Sequence, residues 1–135
     1  QLTPQADLPP GRFHLAPLGD DVQAPYPYLH DAVDEAFAAL RAQTARSVGW
    51  DFLGVLENAY LPLTAPAMPA LQQEWLYTGR GFAVNSAPLD AGWMAVARET
   101  YGEETYWRIY LRPLRQDGSQ GMPLMQQPWD FSARY

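Results

Sequence analysis

The sequence predicts an α+β fold, a helical pair packed on a small antiparallel sheet behind a Pro-rich N-terminal arm. Three observations carry this. Apolar residues recur every three or four positions between Leu29 and Val48, the period falls to two after Pro69, and Pro4, Pro9, Pro10, Pro17, Pro25 and Pro27 crowd the first 27 residues. Residues 1–27 are therefore expected to form an extended arm and residues 28–135 a single α+β domain.

The first helix is expected over Asp31–Arg46. Leu29, Val33, Phe37, Leu40, Thr44 and Val48 share one face, Asp31 stands at the N-cap position, and Gly49 stops the run. Asp34 and Glu35 in the first turn and Arg41 and Arg46 toward the end suit the helix dipole. A shorter second helix is expected from about Asp51 to Ala59, because Trp50, Leu53, Leu56 and Tyr60 repeat at helical spacing before Pro62.

In the second half, strands are expected at Trp75–Thr78, Gly81–Asn85, Gly92–Tyr101 and Thr105–Arg112, separated by Gly79, Pro88, Asp90, Gly92 and Gly102. The last two form a hairpin. Trp107, Ile109 and Leu111 must share a face with Met94 and Val96, which leaves two registers. One turns at Gly102 and Glu103 and sets Trp93 opposite Arg112. The other turns at Glu103 and Glu104 and sets Glu99 opposite Arg108. In either register Tyr106, Arg108, Tyr110 and Arg112 occupy the opposite face. Phe37 and Leu40 are expected in one core with Trp107 and Ile109.

Composition narrows the function classes. A chain of 135 residues, 47% hydrophobic and 13% aromatic, can bury a core. It has no Cys, so disulfides, thiolate metal sites and Cys nucleophiles are excluded. No run of eighteen apolar residues occurs, so no membrane insertion is expected. All nine basic residues are Arg, and the net charge of -6 argues against nucleic acid as a partner. The chain opens at Gln1, which with the Pro-rich lead suggests a processed or excised domain of an exported bacterial protein, hence an extracytoplasmic location.

The stripe Tyr106, Arg108, Tyr110, Arg112 is the candidate ligand or partner surface, since alternating aromatic planes and guanidinium forks stack on rings and grip carboxylates. Its bland counterpart is the solvent face of a hairpin, with Arg paired to Glu99. The Gly79-Arg80-Gly81 segment lacks the further glycines and following helix of a phosphate loop, and reads as a tight turn exposing Arg80. His14 and His30 lie on separate pieces of chain, so no metal ligand set and no cofactor is assigned. Ser47, Ser86, Ser119 and Ser132 sit in no nucleophile elbow, and Glu99, Glu103 and Glu104 read as a solubilising hairpin tip, so no catalytic residue is assigned. Trp-Asp-Phe occurs at 50–52 and 129–131 without matching surroundings, and both Trp residues read as packing anchors.

The segments W-L-Y-T-G-R at Trp75–Arg80, A-G-W-M at Ala91–Met94, T-Y-W-R-I-Y-L-R at Thr105–Arg112, Q-D-G-S at Gln116–Ser119 and P-W-D-F at Pro128–Phe131 resemble uncharacterised bacterial extracytoplasmic domains, some of which accompany TolB-type β-propeller repeats. The resemblance covers roughly the C-terminal half and brings no functional residues. It implies an accessory or interaction domain. The function expected is a non-catalytic binding or interaction module of a larger exported protein, with a protein or carbohydrate partner and the oligomeric state left open. The alternative is a small hydrolase acting on a cell-envelope polysaccharide or peptide, which would place two titratable groups in one pocket.

Overall fold

The computed structural model describes residues 14–62 and 74–121. The expected arm residues 1–13 and the second Trp-Asp-Phe segment lie outside them. Helices and antiparallel strands both occur, as an α+β fold requires, but the strands form three two-stranded sheets rather than one. Two compact units divide the described chain. One draws on residues 14–43, 51–62 and 74–85, the other on 44–50 and 86–121.

In the first unit, β1 (Leu15–Pro17) pairs antiparallel with β2 (Tyr28–His30), setting Leu15 opposite His30. Leu15 and Val22, both in the stretch expected as an arm, are buried along with Leu29. Helix α1 follows at Asp34–Val48. It starts three residues later than expected, because Asp31 does not cap it. The Ala32 N–H donates instead to His30 Nδ1 at 2.9 Å, and residues 31–33 form turns. Gly49 ends the helix as expected, with φ +85 and its N–H on the Ala45 carbonyl.

The expected inward face of α1 is kept at Val33, Phe37, Thr44 and Val48 but changes at one position. Phe37 is buried and meets Phe82 edge to face at 5.1 Å, whereas Leu40 is 48% exposed. Arg41 takes the inward position and reaches Asp21 and Asp51. An apolar stem with a charged head fills such a half-buried position while keeping its guanidinium paired.

The expected second helix is absent. Phe52–Gly54 is a single 3-10 turn, and the chain then extends into β3 (Leu56–Asn58), which pairs with β4 (Ala83–Val84). Gly54 weakens a helix at its centre, and the carbonyl and N–H around it bond to Gln23 instead. Burial gives the reason. Phe52, Leu53, Leu56, Ala59, Tyr60 and Leu61 are all inside, while Val55 and Glu57 face out in the alternation of a strand, so helical spacing among the apolar residues is coincidental.

Trp75–Thr78, expected as a strand, lies in α2 (Glu74–Tyr77) and the turn after it. Arg80 N–H bonds to the Trp75 carbonyl and Gly79 N–H to that of Leu76, the paired bonds of a Schellman cap. Gly79 takes the left-handed position at φ +71, which leaves Arg80 exposed as expected.

The second unit contains α3 (Ala87–Asp90), a turn opened by Pro88, and the hairpin of β5 (Met94–Tyr101) and β6 (Glu104–Leu111). The register pairs Met94 with Leu111 and Tyr101 with Glu104, so the chain turns at Gly102 and Glu103, the first of the two expected alternatives. Gly102 has φ +61, as a two-residue hairpin loop demands. Trp50 packs against Trp93 edge to face at 6.2 Å and donates its Nε1–H to the Arg112 carbonyl at 2.8 Å. Met94, Ala95 and Ala97 are buried. Trp107 and Ile109 are 43% and 39% exposed, as Leu40 is on α1, so the core expected of these residues with Phe37 is not formed. A two-stranded ribbon has too little breadth to bury both its faces.

Candidate functional site

The hairpin places Tyr106, Arg108 and Tyr110 on one face, with Ala95, Ala97, Glu99 and Tyr101 as their cross-strand neighbours. Alternation along β6 dictates this, and the small Ala95 and Ala97 leave room for the longer side chains beside them. Tyr106 is 49% exposed, Arg108 and Arg112 are exposed, and Tyr110 is half-buried.

The four side chains do not act as one patch of unengaged groups. Arg108 pairs with Glu99 at 2.9 Å, and its guanidinium also lies 3.5 Å from the Tyr101 hydroxyl. Glu99 sits directly opposite Tyr106, so the ion pair runs diagonally across the ladder. The Tyr110 hydroxyl donates to the same carboxylate at 3.1 Å. The negative charge of Glu99 raises the Arg108 guanidinium above its ordinary value. Glu99 is thereby a half-buried anchor, in contrast to the solvated tip residue expected of it. Glu103 and Glu104 are exposed.

Toward the tip, Tyr106 donates to the Glu104 carboxylate, which raises its phenol above the usual tyrosine range. Tyr101 and Tyr106 meet edge to face at 6.0 Å. Arg112 stands apart, stacked over the Trp93 ring at 5.2 Å and hydrogen-bonded to the Gln116 amide. An open depression of about 610 Å³ is lined by Glu99, Tyr101, Tyr106, Trp107, Arg108 and Ile109. Of the stripe, only Tyr106 and Arg108 line it, joined by Tyr101, Trp107 and Ile109. Their exposure depends on how little a two-stranded ribbon can cover, which strand patterning alone does not reveal.

A second cluster was hidden by sequence distance. Pairing Leu15 with His30 brings His14 beside Asp31. His14 Nε2 contacts Asp31 Oδ2, and His30 Nδ1 lies 3.0 Å from Oδ1 of the same carboxylate. The two imidazoles thus converge after all. His30 Nδ1 already accepts the Ala32 N–H, which occupies its lone pair. Among the described residues no group of three His, Cys, Asp or Glu is arranged to hold a metal ion. Ser119 pairs with Asp117 in a local turn, and those hydrogen bonds hold the Asp117 carboxyl below its usual range.

Among the described residues no helix is long and apolar enough to cross a membrane. No protein-family model, no curated protein and no solved structure matches this chain.

Proposed function

We propose that this chain is a non-catalytic binding or interaction module whose contact surface is the β5–β6 hairpin. The observation that carries the reading is the concentration of exposed aromatic side chains there. Tyr101, Tyr106 and Trp107 flank one open depression, with the Glu99–Arg108 pair supplying fixed polar groups in its wall. Aromatic rings and Arg dominate contact energies because they bury much area at small entropic cost. Tyr106, Arg108, Tyr110 and Arg112 are the surface residues, and the partner is a protein or a carbohydrate. Membership of a larger exported protein rests on the resemblance of the C-terminal segments.

Titration calorimetry against soluble envelope glycan fragments and against extended peptides tests the reading. Binding without turnover is expected, and Tyr106→Ala should weaken it by about 30-fold, the equivalent of a 2 kcal/mol hot spot, while the fold persists. Release of a cleaved product would favour the hydrolase instead. Binding indifferent to Tyr106→Ala would remove the hairpin as the surface.

A further inference from the structure

We propose that the outer edge of β5 takes up an extended segment of another polypeptide as a third strand, with an acidic side chain of that segment set beside Arg98. The proposal deepens the binding-module reading and rests on it. It begins with the phase of the ladder. Arg112 N–H donates to the carbonyl of the directly opposed Trp93 at 2.9 Å, so 93 and 112 form a hydrogen-bonded pair. Such pairs alternate along antiparallel strands, which makes 95/110, 97/108, 99/106 and 101/104 the inward-bonding pairs. The backbone N–H and C=O groups of Met94, Val96, Arg98 and Thr100 therefore point away from β6. Among the described residues no strand pairs with that edge.

Accessibility confines the open stretch. Met94 is buried, Val96 is half-buried, and Arg98 and Thr100 are exposed, so a strand of about five residues can lie along 96–100. Exposed edges in native proteins are normally blunted by bulges, Pro, short length or charged side chains, and among the outward-bonding residues of β5 only Arg98 supplies such a device. Here all eight residues of β5 pair in unbroken register, and none is Pro. Only an extended backbone presents alternating acceptors and donors every second residue, about 7 Å apart, so the edge itself specifies the occupant's conformation.

Charge specifies its side chains. Arg41 and Arg108 each hold a carboxylate, but among the described residues Arg98 holds none. Its directly opposed neighbour is Trp107, and Glu99 lies on the other face, engaged with Arg108 and Tyr110. An incoming strand places one side chain beside Arg98 on the same face, and a carboxylate there completes the pair.

The test uses a capped nonapeptide of alternating Thr and Val with a central Glu, its Lys counterpart, and the full chain followed by amide hydrogen exchange. The Glu peptide should slow exchange at Val96, Arg98 and Thr100 and leave the already paired Ala95 and Ala97 unchanged. Its affinity should fall about three- to tenfold with the Lys peptide and with Arg98→Glu, since each replaces an attractive exposed pair by a like-charge one. Thr100→Pro deletes an outward N–H without touching the β5–β6 bonds and should abolish protection. Failure of the peptide to protect those amides, or equal binding of the Lys peptide, overturns the proposal. Binding that is lost in Tyr106→Ala without edge protection also overturns it, while leaving the binding-module reading intact. Protection of the same amides by self-association alone, seen as a dimer in light scattering, would make the occupant a second copy and overturn the acidic partner.

Discussion

At Gly79 the backbone adopts φ +71 while its carbonyl accepts the His30 N–H at 2.8 Å. A Cβ there would lie 2.8 Å from that same backbone nitrogen, so an added methyl meets main chain that cannot step aside. Gly79→Ala should therefore cost about 2 to 4 kcal/mol, combining the left-handed penalty with the clash. Gly92 isolates the first part. It has φ +79 but nothing within 4 Å of an added Cβ, so Gly92→Ala should cost only about 1 to 2 kcal/mol. Urea unfolding of both variants checks the difference, and equal losses would show that the contact with His30 is unimportant. The sequence showed that Gly79 must turn; that it must also lie against β2 was a tertiary fact no local pattern carries.

Helix α1 shows what periodicity can and cannot deliver at the scale of an element. Its existence, its Gly49 stop and its buried Phe37 were legible, because the apolar spacing and the left-handed glycine are local. One inward position was not, because Leu40 and Arg41 adjoin and hydrophobicity alone favours Leu40. Two carboxylates distant in sequence, Asp21 and Asp51, decide for Arg41. Phe37→Ala should cost about 3 to 5 kcal/mol, and Leu40→Ala no more than about 0.5 kcal/mol, measured by denaturant unfolding. A larger loss at Leu40 would put Leu40 back among the inward residues. The same clamp has a pH signature. Arg41 holds the Asp21 carboxyl below its ordinary 3.8, first through their hydrogen bond and then through charge attraction. A carboxylate whose folded pKa is depressed stabilises above its unfolded pKa, and that stabilisation vanishes as pH falls through the folded value. Parent stability should therefore decline below about pH 4, and Arg41→Met should flatten this part of the decline. Identical acid slopes in parent and variant would contradict the clamp. The candidate hairpin was the most legible element, since strict alternation fixes both faces. The choice between its registers was not, because each offered a favourable cross-strand pair, and the chosen one keeps the Glu99–Arg108 pair as a diagonal.

For the whole molecule, the acidic excess of 15 Asp and Glu over nine Arg predicts weak interaction with polyanions. Fluorescence anisotropy with duplex DNA at physiological salt should give a Kd no tighter than about 100 μM, and a submicromolar Kd with a steep salt slope would refute it. The division into two compact units was not legible, because the first of its three boundaries falls between residues 43 and 44, inside an uninterrupted helix where composition does not change. The Trp50–Trp93 contact offers a way to watch one unit alone. Two indoles held at 78° to one another and 6.2 Å apart exchange excitation, so they should give a paired positive and negative band in circular dichroism. Both belong to the unit that carries the hairpin, whereas Trp75 belongs to the other. Trp50→Phe should erase the couplet, and on heating the parent its decay should report loss of order around the hairpin's base as an optical clock separate from the helical signal.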